Sequence, residues 1–199
     1  MKSVIIATKN KGKAKEFERL FSKHDMEVKT LIDFPDVPDI EETGETFEEN
    51  AIIKAEAIAE LSGSYVVADD SGLVIDALDG RPGVFSARYA GAEKNDEDNI
   101  DKVLSEMNGV TEKDRTARFY CALAMAGPYF ETFTVNGTCE GLILNERRGS
   151  EGFGYDPIFF LRSEGKTMAE MSPARKNELS HRAAAMKNLE PYIEKLFVK

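Results

Sequence analysis

The stretch SVIIATKNKGKAKEFERLF, residues 3–21, opens on the apolar run Ser3-Val4-Ile5-Ile6-Ala7, breaks at Thr8-Lys9-Asn10-Lys11-Gly12-Lys13, and resumes with apolar residues at Phe17, Leu20 and Phe21. A short β-branched run bounded by turn formers predicts a buried strand, and apolar residues at i, i+3 and i+4 predict a helix. A strand that feeds a helix directly begins an α/β or α+β chain. The basic loop between them gathers backbone N–H groups and the positive end of the helix dipole, a placement that suits phosphate. An exposed basic turn that binds nothing has the same sequence, and the spacing GxxxxGK[ST] of a nucleotide P-loop is absent.

The rest of the chain continues this alternation. Residues 33–44 hold two prolines and many acids and read as a loop, after which Thr46-x-x-Glu49 is a capping box for a helix to about Leu61. Tyr65 to Ala68 reads as a strand ending in Asp69-Asp70-Ser71-Gly72, with Leu73 to Ile75 as a possible second strand. Ile100, Val103, Leu104 and Met107 give a helix within residues 94–108, and strands are expected at 117–125 and 130–135. Asn136-Gly137 is either a tight hairpin or a break in a longer strand. A glycine-rich loop, 149–154, feeds a strand at 158–161; Ser172-Pro173 starts a helical turn; and a last helix after Ser180 turns Met186, Leu189, Ile193, Leu196 and Phe197 to the core. The expected architecture is one domain over residues 1–199, α/β, two-lobed, with a cleft.

With 199 residues, 42% apolar and 31% charged, the chain has the composition of an ordinary globular domain. The formal charge of −10 disfavours a nucleic-acid binder, because that class carries a basic face. The charge is also uneven: residues 1–29 hold eight Lys or Arg against four acids, whereas residues 33–60 hold ten acids against Lys54 alone. A small anion beside a divalent cation would use both signs, although solvated faces account for most single charges. No run approaches the ~20 apolar residues of a membrane span, and no signal peptide is recognisable, so a cytoplasmic protein is expected. Cys121 and Cys139, 18 residues apart and without a CxxC, are expected as free buried thiols.

Four further features point to chemistry. On the second helix Phe47, Ala51, Ala55 and Ile58 form the apolar stripe and Glu49, Glu56 and Glu60 lie opposite, but Asn50 and Lys54 project at the stripe's edge. A lysine there either snorkels to water or meets an anion. Asp69 and Asp70 alternate faces, so at least one can enter a cleft, where a carboxylate suits Mg²⁺; a turn that only caps the next element is the competing reading. Gly152-Phe153-Gly154-Tyr155-Asp156-Pro157 offers a ring on which a planar group could stack, with core packing as the equal alternative. His181 and Arg182 oppose the dipole at a helix N-terminus unless an anion is near.

Together TKNKGK (8–13), EETGETFEENAIIKA (41–55), ADDSGL (68–73), SARYAG (86–91), GFGYDPIF (152–159) and SHR (180–182) resemble, in order and over nearly the whole chain, the inosine triphosphate pyrophosphatase family. The resemblance implies a two-lobed α/β fold with a long mixed sheet flanked by helices and a central substrate cleft, a homodimer, and a Mg²⁺ requirement. It also implies hydrolysis of ITP, dITP or XTP to the monophosphate and pyrophosphate, cleansing the nucleotide pool. Carried onto this chain, the phosphate loop is Thr8, Lys9, Asn10, Lys11, Gly12 and Lys13, with Asn50 and Ser71 also substrate-binding. The metal carboxylates are Glu41 and Asp70, and Asp70 is also the general base, with Lys13 and Lys54 completing the catalytic set. The base pocket is Phe153, Gly154, Tyr155, Asp156, Lys176, His181 and Arg182. A pyrophosphatase for other modified bases and a nucleotide-binding regulator without turnover remain the alternatives.

Overall fold

The computed structural model describes residues 3–22 and 26–197. The chain runs β1 (Ser3–Ile6), α1 (Lys11–Phe21), β2 (Glu27–Thr30), α2 (Phe47–Ser62), β3 (Val66–Ile75), α3 (Asp96–Glu106), β4 (Thr116–Ala126) and β5 (Phe133–Ile143). It ends with β6 (Phe159–Leu161), β7 (Lys166–Thr167), α4 (Pro173–Leu179) and α5 (His181–Phe197). The strands form one mixed sheet in the order β2-β1-β3-β4-β5-β6-β7. In it β1 is parallel to β2 and β3, and β6 is antiparallel to β5 and β7. The α/β expectation holds. Among the described residues no helix is long and apolar enough to cross a membrane.

The chain divides into two units. The first comprises residues up to Asp70, Cys121–Gly137 and the chain from Arg182 on; the second comprises Ser71–Tyr120 and Thr138–His181. In the first, the alternating residues Cys121, Leu123 and Met125 of β4 pack with Val4, Ile6 and Val67 against Phe17 and Phe21 of α1 and Met186, Leu189 and Ile193 of α5. Each of these large apolar side chains contributes about 1.5–3 kcal/mol when taken from water. Ala51, Ala55 and Ile58 of α2 are buried as the stripe predicts, beneath a helix that Thr46 and Glu49 cap reciprocally. Leu20 and Phe197, also expected in the core, are described in their helical backbone only.

In the second unit, Ile100 and Val103 of α3 and Met107 at its C-cap pack with Leu73, Ile75, Phe119, Phe159 and Leu161. Arg115 is buried beneath them: its guanidinium donates to the carbonyls of Met107 (2.9 Å), Ile143 (2.6 Å) and Leu144 (3.0 Å), closing the C-terminal end of α3. Burial holds Arg115 below the ordinary arginine value. Both cysteines are free and buried, as expected.

One strand assignment needs correction, and one open alternative is decided. β3 does not end at Asp69 but runs unbroken through Asp69-Asp70-Ser71-Gly72 to Ile75, so the turn reading of these residues fails. Both carboxylates find cationic partners inside the protein, which removes the penalty that would otherwise force them to a strand end. β5 likewise runs through Asn136-Gly137, and the Asn136 carbonyl accepts from Asn188 Nδ2 at 2.8 Å, so there is no hairpin. The short polar strands β2 and β7 were not anticipated.

Candidate active site

In the first unit the loop from β1 to α1 is organised by its own side chains. Asn10 is the N-cap of α1, its Oδ1 accepting from the N–H groups of Gly12 (2.8 Å) and Lys13 (3.1 Å). The buried Thr8 hydroxyl accepts from the Asn10 N–H at 3.1 Å. Lys9 turns away to the Val37 carbonyl (2.8 Å) and the Asp39 carboxylate (2.9 Å), and Lys11 is exposed. Lys13, one turn into the helix, forms an ion pair with Asp69.

β3 sends its consecutive carboxylates to different partners. Asp69 meets Lys13, Arg182 Nε at 3.2 Å and the Cys121 thiol at 3.3 Å, and Arg182 also reaches Glu16 at 2.8 Å. This is the anion that a cation in the first turn of a helix requires. Burial opposes ionisation of Asp69, but Lys13, Arg182 and Lys54 outweigh it and hold the carboxyl well below the usual carboxylate range. Burial and the neighbouring Asp69 push the Cys121 thiol well up, so it stays protonated and can donate.

Asp70 faces α2. Its carboxylate accepts from Lys54 Nζ at 3.2 Å and Asn50 Nδ2 at 3.3 Å. Lys54 also donates to Glu42 (2.6 Å) and to the Asp69 carbonyl (2.7 Å), so the stripe-edge lysine meets anions and does not snorkel. Asn50, fully buried, accepts from the Gly44 N–H at 2.8 Å. A Cβ on Gly44 would stand 2.6 Å from Glu49 Cβ and 2.8 Å from Asn50 Oδ1, so only glycine lets the acidic loop approach this closely. Burial raises the Asp70 carboxyl; Lys54 and Lys13 pull it down, Glu42 and Asp69 push it up again, and it settles above the ordinary value. Burial opposes the charge on Lys54, but Asp70, Glu42 and Asp69 outweigh it and raise the ammonium.

The cluster suits a hard cation. Glu16, Glu42, Asp69 and Asp70 face Lys13, Lys54 and Arg182, and burial, more than the neighbouring acids, keeps the Asp70 carboxyl elevated. Among the described residues no three acidic, histidine or cysteine side chains form a metal cage. Mg²⁺ requires no such cage, since one or two carboxylates plus phosphate oxygens satisfy it. Glu41 is exposed beside this cluster in sequence, whereas its neighbour Glu42 makes the contact with Lys54.

The second unit holds the aromatic loop. Asp156 accepts from the Phe153 N–H (2.9 Å) and from Lys176 Nζ (2.7 Å), and Lys176 lies 4.6 Å from the Phe153 ring centroid. Gly152 has φ +84, and a Cβ there would stand 2.0 Å from Asp156 Oδ2, so this carboxylate fits only against a glycine. The Tyr155 hydroxyl donates to the Ser86 carbonyl at 2.7 Å, so this ring is core while Phe153 is half-buried. His181 stacks on Phe119, with centroids 4.9 Å apart. Ser71 continues β3 directly after Asp70.

The structure therefore gathers Lys13, Asn50, Lys54, Asp70 and Arg182 in the first unit, and Phe153, Asp156 and Lys176 in the second. Arg182, expected beside the base, is bonded to Asp69 and Glu16. Glu16, Glu42 and Cys121 were missed; Glu16 lay one turn beyond Lys13 on a helix face with no other distinguishing mark.

The sequence model of the Ham1 family matches residues 4–192. The chain is 58% identical to a dITP/XTP pyrophosphatase of Halalkalibacterium halodurans, covering 98% of this chain and 100% of that one. It is 56% identical to a dITP/XTP pyrophosphatase of Bacillus anthracis, covering 100% and 99%. Among solved structures it is similar to the Staphylococcus aureus Ham1 protein, with TM-score 0.87 and 45% identity over 98% of this chain and 100% of that chain. A HAM1 protein from Coxiella burnetii matches with TM-score 0.88 and 42% identity over the same shares.

Proposed function

This chain belongs to the Ham1 family, and from that premise we propose that it hydrolyses the deaminated purine nucleoside triphosphates ITP, dITP and XTP to the monophosphate and pyrophosphate. The observation that carries the reading is the buried Asp70 carboxylate, held above its ordinary value beside Lys54 and Asn50. A carboxylate so elevated is a better proton acceptor than a free one, and it deprotonates the water that attacks phosphorus.

Lys54 and Lys13 offset the charge that grows on the phosphoryl oxygens. Thr8 to Lys13 receive the triphosphate, with Asn50 orienting Asp70 through its amide. Asp69 positions Lys13 and Arg182 and takes no proton, because its carboxyl stays ionised at any physiological pH. Asp70 and Glu41 would hold Mg²⁺, which when bound supplies positive charge to the phosphate oxygens and to the leaving pyrophosphate.

Phe153 to Asp156, Lys176 and His181 receive the purine. Hypoxanthine and xanthine carry an acceptor at C6, which a donor such as Lys176 satisfies. Adenine brings an amino donor there, and the unpaired group costs roughly 1–3 kcal/mol. For Arg182 to donate to the same oxygen, it must exchange a bond to Asp69 or Glu16 for it. The formal charge of −10 supports free nucleotides, not nucleic acid, as partners. A cytoplasmic homodimer is part of the same proposal and rests on the family resemblance.

The test is incubation of the purified protein and Mg²⁺ with ITP, XTP, dITP, GTP, ATP and dUTP, with products resolved by ion exchange. IMP or XMP with pyrophosphate, and intact ATP and GTP, is the expected result. Orthophosphate as the product, or bound ITP without turnover, overturns it.

A further inference from the structure

SARYAG, residues 86–91, has no part in the chemistry above, yet its bonds lead to the aromatic loop. α3 carries Asp96, Asn99 and Lys102 at three-residue spacing, on one helix face. Each is bonded to the backbone of a loop in the same unit. Asp96 Oδ2 accepts from the Gly154 N–H at 2.8 Å. Asn99, almost fully buried, accepts from the Ala90 N–H at 2.7 Å and donates to the Ala87 carbonyl at 3.2 Å. Lys102 Nζ donates to the Tyr89 carbonyl at 2.7 Å and lies 4.3 Å from the Tyr89 ring centroid. The two loops are also bonded to each other, since Tyr155 donates to the Ser86 carbonyl, while the Ser86 hydroxyl accepts from the Leu73 N–H at 2.9 Å.

The consequence falls on Phe153. Its own N–H is taken by Asp156, and the next N–H, that of Gly154, is taken by Asp96 from another element. Two carboxylates on successive amides fix the peptide between them, and with it the direction of the Phe153 ring and of Lys176, which shares Asp156. Gly154 has φ +59, which glycine adopts without strain, so the backbone itself does not fix this peptide and the bond to Asp96 is what holds it.

We propose that Asp96 is a positioning residue for purine recognition: by holding the Gly154 amide from the first turn of α3, it sets the Phe153 ring against which the base stacks. This rests on the reading under Proposed function. A positioning error in the base loop weakens substrate binding and discrimination and leaves the Asp70 chemistry alone.

The test compares wild type, Asp96→Ala and Asp96→Asn, the last retaining an acceptor oxygen. Initial rates with ITP and ATP are combined with hydrogen exchange at the Gly154 amide. In Asp96→Ala the KM for ITP is expected to rise about five- to tenfold with kcat within about twofold. The ITP over ATP preference should fall and the Gly154 amide should exchange faster; Asp96→Asn should restore all three. Unchanged exchange in Asp96→Ala, or faster exchange with unchanged KM and preference, overturns the role. A wild type that turns over no deaminated purine triphosphate overturns the functional reading itself, and is distinguished by being seen before any variant is made.

Discussion

Asp69 and Asp70 are neighbours in one strand, yet their carboxyls are driven in opposite directions. Lys13 and Arg182 outweigh burial at Asp69 and hold it ionised, whereas at Asp70 burial, Glu42 and Asp69 outweigh the lysines. The alternation of side chains along a strand makes this possible, because one residue of spacing places the two groups in separate environments. A permanent anion and a proton acceptor can then stand side by side without exchanging roles.

Asp70→Asn should lower kcat for ITP by about 10³-fold, within the range of general-base catalysis, while calorimetry still detects ITP binding. The amide keeps the shape and an acceptor for Lys54 but removes the base. Turnover near that of the wild type would remove Asp70 from the mechanism.

Lys54→Met, which keeps the length of the stem, should lower kcat by about 10²-fold. It leaves Glu42 and Asp70 facing each other without the ammonium between them. Lys54→Arg is not a conservative control, because a planar fork cannot serve Glu42, Asp70 and the Asp69 carbonyl from one point. Full activity in Lys54→Met would show that the ammonium is structural.

Arg182→Ala should destabilise the protein by about 3 kcal/mol, since it takes a buried cation from the buried carboxylates of Asp69 and Glu16. The urea midpoint should fall with an unchanged slope. Adding Asp69→Asn to Arg182→Ala should cost less than the sum of the two single changes. An additive result would mean that the pair does not interact.

Gly152→Ala should raise the KM for ITP more than Gly154→Ala does. Both glycines have positive φ, but only at Gly152 would the new methyl collide, with Asp156 Oδ2; at Gly154 nothing lies within 4 Å. Michaelis constants for the two variants separate the clash from the backbone strain. Equal effects would mean that φ alone matters.

Much of the site could be read from the chain because its oddities were local. Asn50 and Lys54 stood out against a helical stripe, and Arg182 was a cation at the wrong end of a helix dipole. The continuity of β3 could not be read, because Asp-Asp-Ser-Gly has turn composition and what stabilises it as strand comes from Lys13 and Arg182, 56 and 113 residues away. β2 was illegible for a different reason: Glu27-Val28-Lys29-Thr30 lies at the edge of the sheet and needs one neighbour only, so it carries no buried run. Glu42 was hidden beside Glu41 in a loop without periodicity, where nothing in the spacing says which acid turns to Lys54.

The first unit is assembled from three separated lengths of chain, and its buried Asp69 has one of its cations on α5. During synthesis that carboxylate emerges 113 residues before Arg182 does. Until the ribosome has passed Arg182, the nascent unit must either leave Asp69 in water or bury it with part of its charge unanswered. Maturation of this half of the protein thus waits until Arg182 has been made, and a chaperone that shields the growing sheet would matter most before then.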